Sequence, residues 1–456
     1  MLARHGYGLD KDATDPAVLD ALRQELTVSP KVNPNVAFGG GTVPEYPVYR
    51  ESARRLYVPR AFGLRRFGPP TQDRLGDGMA APGLTFEGRL RPAQQEAVDA
   101  FLAAARDPTR RGGLIVVGCG GGKTVMAIHL ACRLGRKTLI VAHKSFLLEQ
   151  WRERLAEYAP QASVGTVKQD KVDVAGRDVV LASLQSLAMR DYPPDLLEGV
   201  GFVVVDECHH IAAEVFSRAL PKITAGVTLG LSATPDRNDG LSCVFEWFLG
   251  PPCFVGERRS DAQVVVRLLD YVHTNSLEPG DAAYGTIHHI GFGARPPLNT
   301  ARMVNELAAC PSRNAFVVAA LLEAMAAHPE RRALVLSERR AQLLDVERRL
   351  RAGGVKSIGF YVGGRKQKDL DVAATQSVLL GTFAMAAEGM DIPDLGILLL
   401  ASPTGNVEQA VGRVRRRAGV TALVLDVKDA YGHFAGLARR RAKFYKDERF
   451  EIKKKE

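Results

Sequence analysis

No stretch of the 456-residue chain approaches the roughly 20 consecutive apolar residues that a membrane span requires. Nor does the N-terminus, MLARHGYGLDKDATD, carry an apolar core followed by a small-residue cleavage site. Neither a membrane partner nor export is therefore expected, and residence in the cytoplasm is. Cysteine pairs are missing too. The six cysteines (Cys119, Cys132, Cys208, Cys243, Cys253 and Cys310) never form Cys-x-x-Cys, which argues against a zinc ribbon and a disulfide framework and fits a reducing compartment. No short-period repeat and no nuclease signature stand out. Hydrophobic residues at 46% and charged residues at 25% exclude a largely disordered or fibrous chain.

What is present begins with length, which suits about three domains, or two and an accessory module. Lys and Arg number 61 against 51 Asp and Glu, a formal net charge of +10. Such an excess directs attention to acidic partners, nucleic acid first, although a merely soluble surface has the same balance.

Residues 1–85 are rich in Pro, Gly and aromatics, with extended pieces at Glu25–Val28 and Arg55–Val58 and a helix at Pro16–Gln24, and read as a small accessory module. From 86 to 255, the strand-like runs GLIVVG, TLIVAH, DVVLAS, FVVVDE and TLGLSAT alternate with helical segments. The first of those helices starts at Pro92. Continuous apolar strands joined by helices imply a parallel sheet covered on both faces. Residues 256–300 read as a connector with some β-structure. A second alternating set (ALVLS, SIGFYV, SVLLGT, GILLLAS, ALVLDV) fills 301–435, and 436–456 reads as a basic helix that frays at its end. The expected class is α/β, two tandem parallel-sheet lobes with a small N-terminal module.

Strand GLIVVG runs into GCGGGKT (Gly118 to Thr124) and then a helix. Strand, glycine loop, Lys-Thr and helix is the context of a phosphate-binding loop. Gly120, Gly121 and Gly122 let backbone N–H groups approach phosphate oxygens, and the helix N-terminus adds partial positive charge. Lys123 suits the β- and γ-phosphates of ATP, and Thr124 suits Mg²⁺. Val117 stands where the strict motif has Gly, so the match is to a looser form. Strand FVVVD ends in Asp206 and Glu207. A parallel sheet delivers them to the same edge as the glycine loop, with Asp206 suited to Mg²⁺ and Glu207 to orienting and deprotonating water. His209 and His210 lack Cys or His partners at ligand spacing, so zinc is not expected.

In this order the motifs resemble helicase superfamily 2 of the DExH type over most of residues 86–435, which implies RecA-like lobes. The resemblance assigns Gln94, in LRPAQ, to adenine. It assigns His143 and Lys144, Ser183 and Ser186, and Thr382 to the nucleic-acid backbone, and Gly389 and Asp391 to the nucleotide. Ser232, Thr234, His209 and Gln409 would couple the ATP site to the strand-binding surface. QAVGRVRR (Gln409 to Arg416) matches Gln-x-x-Gly-Arg-x-x-Arg, so Arg413 and Arg416 are the expected catalytic arginines; they would stabilise charge on the transferring phosphoryl group as the lobes close. Arg415 and Arg417 fall off the motif and read as a basic helix face, and Gln150 and Trp151 read as packing.

CGGGKT, SATPDRNDG and the leader resemble UvsW-like and T5-type phage branch-migration DNA helicases and, more distantly, the XPB type. That likeness implies an ATP- and Mg²⁺-dependent remodeller of forks and Holliday junctions in a bacterial host cytoplasm. Its partner would be branched or partly single-stranded DNA, and it would be a monomer when free. An RNA helicase and a nucleic-acid-binding scaffold with an inactive site are the alternatives. Tyr49 to Phe67 interleaves six arginines with aromatics, so Arg54, Arg55, Tyr57 and Arg60 are candidate DNA contacts. Arg439, Arg440, Arg441 and Lys443 in the tail suit phosphate or a solvated helix equally.

Overall fold

The apolar runs become buried strands. The computed structural model describes residues 1–456 apart from 30–44, 119, 194, 209–212, 224, 234–240, 257–263, 272–299, 389–391, 393, 416–420, 430–431 and 455–456. It divides into two compact units, Met1–Glu257 and Arg258–Glu456. Among the described residues, no single helix is long and apolar enough to cross a membrane.

The first unit is built on an eight-stranded sheet. Its order is Lys171–Asp173, Val164–Lys168, Val179–Ser183, Thr138–Ala142, Phe202–Val205, Val227–Ser232, Gly112–Val116 and Pro252–Val255. Every pair is parallel except the hairpin at the Lys171–Asp173 edge. Successive side chains alternate between two cores, as the period-two pleat requires. Val203 and Val205 face one core, whereas Phe202 and Val204 face the other with Phe101, Met126 and Trp151. Each large apolar side chain buried in this way contributes about 1.5–3 kcal/mol relative to exposure.

The N-terminal residues form a four-stranded antiparallel sheet in the order Leu2–Ala3, Gly6–Asp10, Arg55–Val58 and Arg50–Glu51, with helices Pro16–Glu25 and Arg60–Phe67. They do not make a separate core. Leu2, Leu22, Leu56 and Val58 belong to the same cluster as Leu114, Val203 and Phe248 of the large sheet. Helix Arg60–Phe67 packs on Ser242–Leu249, with the Phe62 ring edge-on to Trp247 at 5.8 Å. Gly63 permits the helix to lie on the small sheet, since a Cβ there would come within 2.2 Å of Tyr7 Cβ.

Among the described residues the second unit carries a seven-stranded sheet, its strands all parallel. Their order is Ile358–Tyr361, Val378–Thr382, Arg332–Ser337, Leu395–Leu400, Ala422–Asp429, Val264–Tyr271 and Glu451–Lys454. Val264–Tyr271, in the region read as a connector with some β-structure, is a full strand because its β-branched run pairs in register along Ala422–Asp429. The tail, expected to fray, forms helix Gly432–Asp447 and then a strand that satisfies the otherwise open edge of Val264–Tyr271. A buried bidentate pair, Arg313 with Asp429 at 2.6 and 2.8 Å, ties helix Pro311–Ala327 to the sheet, and Arg313 also donates to the carbonyl of Ala401 at 2.7 Å.

Candidate nucleotide and nucleic-acid site

Because the five central strands of the first unit run parallel, their C-terminal ends meet at one sheet edge. Gly112–Val116 leads there to the glycine loop, Thr138–Ala142 to His143 and Lys144, and Phe202–Val205 to Asp206 and Glu207; Val179–Ser183 ends in Ser183 and Val227–Ser232 in Ser232. Topology thus brings together residues spread over more than a hundred positions of sequence.

The loop turns into helix Lys123–Leu134 through left-handed residues, Gly120 at φ 79° and Gly122 at φ 83°. A Cβ on Gly122 would lie 2.0 Å from Gln94 Nε2, so this position must be bare. Gln94 is buried. Its Oε1 accepts from the Arg91 backbone N–H at 2.8 Å, capping helix Pro92–Arg106, and its Nε2 donates to the Gly121 carbonyl at 3.4 Å. One amide therefore joins the segment expected to read adenine to the loop expected to hold phosphate. Arg91 adds a bond to the Gly120 carbonyl at 3.3 Å.

Lys123 opens the helix, nearly buried, with Nζ 3.2 Å from the Val117 carbonyl and 3.3 Å from Glu207 Oε1. Glu207 holds a left-handed backbone at φ 46°, which is costly for a residue with a side chain and recurs at functional sites. Asp206 is buried beside it, and its Oδ2 accepts from Trp151 Nε1 at 2.8 Å. Burial, then the charge of Glu207, pushes the Asp206 carboxyl up to about 6, against the Trp151 hydrogen bond and Lys123. A cation brought to this edge would remove much of that penalty. Two adjacent carboxylates and the Thr124 hydroxyl are hard oxygen donors suited to Mg²⁺, and bare glycines at a helix N-terminus suit a polyphosphate. The residues fit a magnesium nucleotide.

Trp151 is the residue that sequence reasoning undervalued. It packs, as expected, but it also orients the acid; its partner lies 55 positions away and no local pattern announces the bond. Ser186 also braces a loop: its side chain is buried and its Oγ accepts from the Gln169 N–H at 2.9 Å. Ser183 and Ser232 are buried as well, while His143 and Lys144 are half-buried at the edge.

Among the leader candidates, Arg60 is a clear correction. It is buried, donating through Nη1 to the Ala225 carbonyl and through Nη2 to that of Ile223 at 3.1 Å, and burial followed by Arg111 lowers its guanidinium to about 10, with Asp73 opposing. It anchors the module to the large sheet and is not available to DNA. Arg54 is exposed; Arg55 is half-buried and donates to Met1 Sδ at 2.7 Å; Tyr57 is half-buried and edge-on to His5 at 5.7 Å.

In the second unit, Thr382 ends strand Val378–Thr382, half-buried, and Gln409 and Arg413 lie half-buried on helix Glu408–Val414. Arg441 is corrected: buried, it pairs with Asp426 at 2.8 Å and is part of the core. His209, Thr234, Gly389, Asp391 and Arg416 lie outside the described residues, as do His210 and Arg417.

A parallel sheet that delivers a glycine loop, a lysine at a helix N-terminus and an adjacent acid pair to one edge defines a P-loop nucleotide-handling protein. Residues 87–237 match the family described as type III restriction enzyme, res subunit. The chain is 28% identical, over 99% of its length and 86% of the relative's, to a protein of Acanthamoeba polyphaga mimivirus provisionally named ATP-dependent RNA helicase L396. It is 30% identical to one provisionally named helicase 109L of Invertebrate iridescent virus 3, over 51% of this chain and 74% of that one. Among solved structures, the crystal structure of T4 UvsW aligns over 97% of this chain and 96% of that chain at 15% identity with a TM-score of 0.38. The chain belongs to this family of helicases, and ATP use and nucleic-acid binding come with that membership.

Proposed function

We propose that the protein is an ATP-dependent DNA helicase or translocase that remodels branched DNA, forks and Holliday junctions included. The observation that carries the ATPase part is Lys123 held 3.3 Å from Glu207 beneath a bare glycine loop, with Asp206 fixed by Trp151. Lys123 binds the terminal phosphates, Thr124 and Asp206 hold Mg²⁺, and a Glu207 carboxylate oxygen orients the attacking water and takes its proton. Bound Mg²⁺ supplies charge neutralisation on the phosphate oxygens. Arg413, with Arg416, is assigned to charge that develops on the transferring phosphoryl group. So complete a set of charges also speaks against a scaffold with a dead site.

The choice of branched DNA rests on the likeness of CGGGKT, SATPDRNDG and the leader to branch-migration helicases, and on the exposed basic residues of the leader such as Arg54. An RNA substrate is the second reading, favoured by the name of the mimiviral relative. One panel separates them: ATP hydrolysis and strand displacement on single-stranded, forked and four-way DNA and on matched RNA. Stimulation and remodelling by forked and four-way DNA above RNA are expected; the reverse order overturns the DNA assignment. Lys123→Ala should abolish both activities, and unaltered turnover in that variant would sink the ATPase assignment itself.

A further inference from the structure

Helix Glu408–Val414 has only seven residues, too few to hold a direction by backbone hydrogen bonds alone. Its buried face, Ala410, Val411 and Val414, lies in one apolar cluster with Val407, Leu400 and Tyr445, while Arg413 on the same helix is half-buried. Both ends of this helix are tied to the C-terminal segment. On the entry side, Arg441 Nη1 donates to the Thr404 carbonyl at 2.5 Å, and the same guanidinium is locked by Asp426, which also accepts from Tyr445 OH at 2.9 Å. On the exit side, Arg415, the residue that ends the helix, pairs with Glu448 Oε2 at 2.6 Å. Glu448 is only 5% exposed and Arg415 17%, so water screens this pair far less than a surface ion pair. The Arg415 guanidinium also lies 5.0 Å from the centroid of Phe450, whose ring stands edge-on to Phe444 at 5.7 Å. Phe450 leads directly into strand Glu451–Lys454, which is hydrogen-bonded to the sheet edge.

We propose that Arg415, Glu448 and Phe450 are positioning residues that aim Arg413. A guanidinium that acts on a transferring phosphoryl group must be placed to within a fraction of an ångström, and misplacement by about 1 Å costs up to a hundredfold in rate. The brace meets that need by clamping the turn of chain that follows Arg413 onto a segment fixed in the sheet. Arg415 thus acts through its neighbour, and the C-terminal segment, basic in composition, serves the ATPase rather than a solvated surface. The proposal rests on the reading of Arg413 given above.

The test is steady-state ATP hydrolysis by the full chain, stimulated by nucleic acid, with ATP affinity and thermal unfolding measured on the same proteins. Glu448→Gln keeps the shape and removes the charge. Its kcat should fall between about tenfold and a hundredfold, while KM for ATP and ATP affinity stay near wild type, because Arg413 acts on the transition state. Phe450→Leu should give a smaller fall of the same kind, and it carries the comparison if Glu448→Gln does not fold. Exchanging the partners, Arg415→Glu with Glu448→Arg, should recover part of the lost kcat. Wild-type kcat in Glu448→Gln and Phe450→Leu, with Arg413→Ala inactive, overturns the brace and leaves the reading of Arg413 standing. Falls in kcat, ATP affinity and melting temperature together also overturn it, since that is the signature of damaged folding. Full turnover in Arg413→Ala overturns the assignment of Arg413, and the brace with it.

Discussion

The two α/β units divide their buried charge differently between candidate chemistry and support. In the first, beside the buried anchor Arg60, the buried or nearly buried charges include the candidate chemistry itself: Asp206 under Trp151, and Lys123 against Glu207. In the second, the buried charges are supports. Arg313 with Asp429, Arg441 with Asp426 and Arg415 with Glu448 hold strands and helices in place, while Arg413 stays half-buried. Burial alone therefore does not mark function. What distinguishes the first set is crowding of like charge: Asp206 is raised by burial and by its neighbour Glu207, whereas each buried pair of the second unit has an arginine matched to a single acid.

This contrast can be broken by substitution. The largest effect is expected at Glu207. Glu207→Gln should cut ATP turnover by about 10²–10⁴ while leaving nucleotide binding, measured by titration with a fluorescent ATP analogue, close to wild type. A variant that hydrolyses ATP normally would remove Glu207 from the chemistry. Next is Arg313→Ala, which strands Asp429 in the core and should cost about 3–5 kcal/mol in denaturant unfolding. Replacing both partners by apolar residues of similar volume should restore much of that loss, as a support allows and a catalytic pair does not. Trp151→Phe is intermediate. It keeps the ring and leaves Asp206 Oδ2 without its donor, with an expected cost of about 1–3 kcal/mol and a slower turnover. Equal ATPase rates in Trp151→Phe and wild type would reduce Trp151 to packing.

The smallest effect belongs to an exposed network in the leader. Glu51 accepts from Lys11 at 2.5 Å and from Arg23 at 2.7 Å. The Arg23 hydrogen bond, then that of Lys11, lowers its carboxyl to about 2. A depressed carboxylate contributes stability that is fully present above its unfolded value and is lost as pH falls toward 2. Glu51→Gln should therefore cost only about 0.2–1 kcal/mol near neutral pH, and the difference from wild type should close as the solution is acidified toward that value. Urea melts at both pH values check it.

Much of this was legible from local pattern. Uniform apolar runs such as FVVV and LLL announced strands buried on both faces, and GCGGGKT between a strand and a helix announced the loop. Asp206 and Glu207 follow a strand directly, so their place at the sheet edge was implied by parallel topology. Residues that act through distant partners were not legible. Arg60 sits in a stretch whose composition suits nucleic acid, yet its guanidinium finds two carbonyls more than 160 positions later and becomes an anchor. Nor did anything local show that Val264–Tyr271 and Glu451–Lys454 would lie side by side.

By itself, then, the sequence determined most of the element types, the two parallel sheets and the place of the glycine loop and the acid pair, because these depend on periodicity, glycine conformation and short spacing. The tertiary structure alone decided which arginines stay at least partly exposed and which are buried as struts, what holds Asp206, and how the tail closes the second sheet. Those outcomes depend on which distant groups are desolvated together. An arginine carries the same charge in any stretch of sequence, and only the environment the fold builds around it decides whether that charge faces solvent, an acid or a backbone carbonyl.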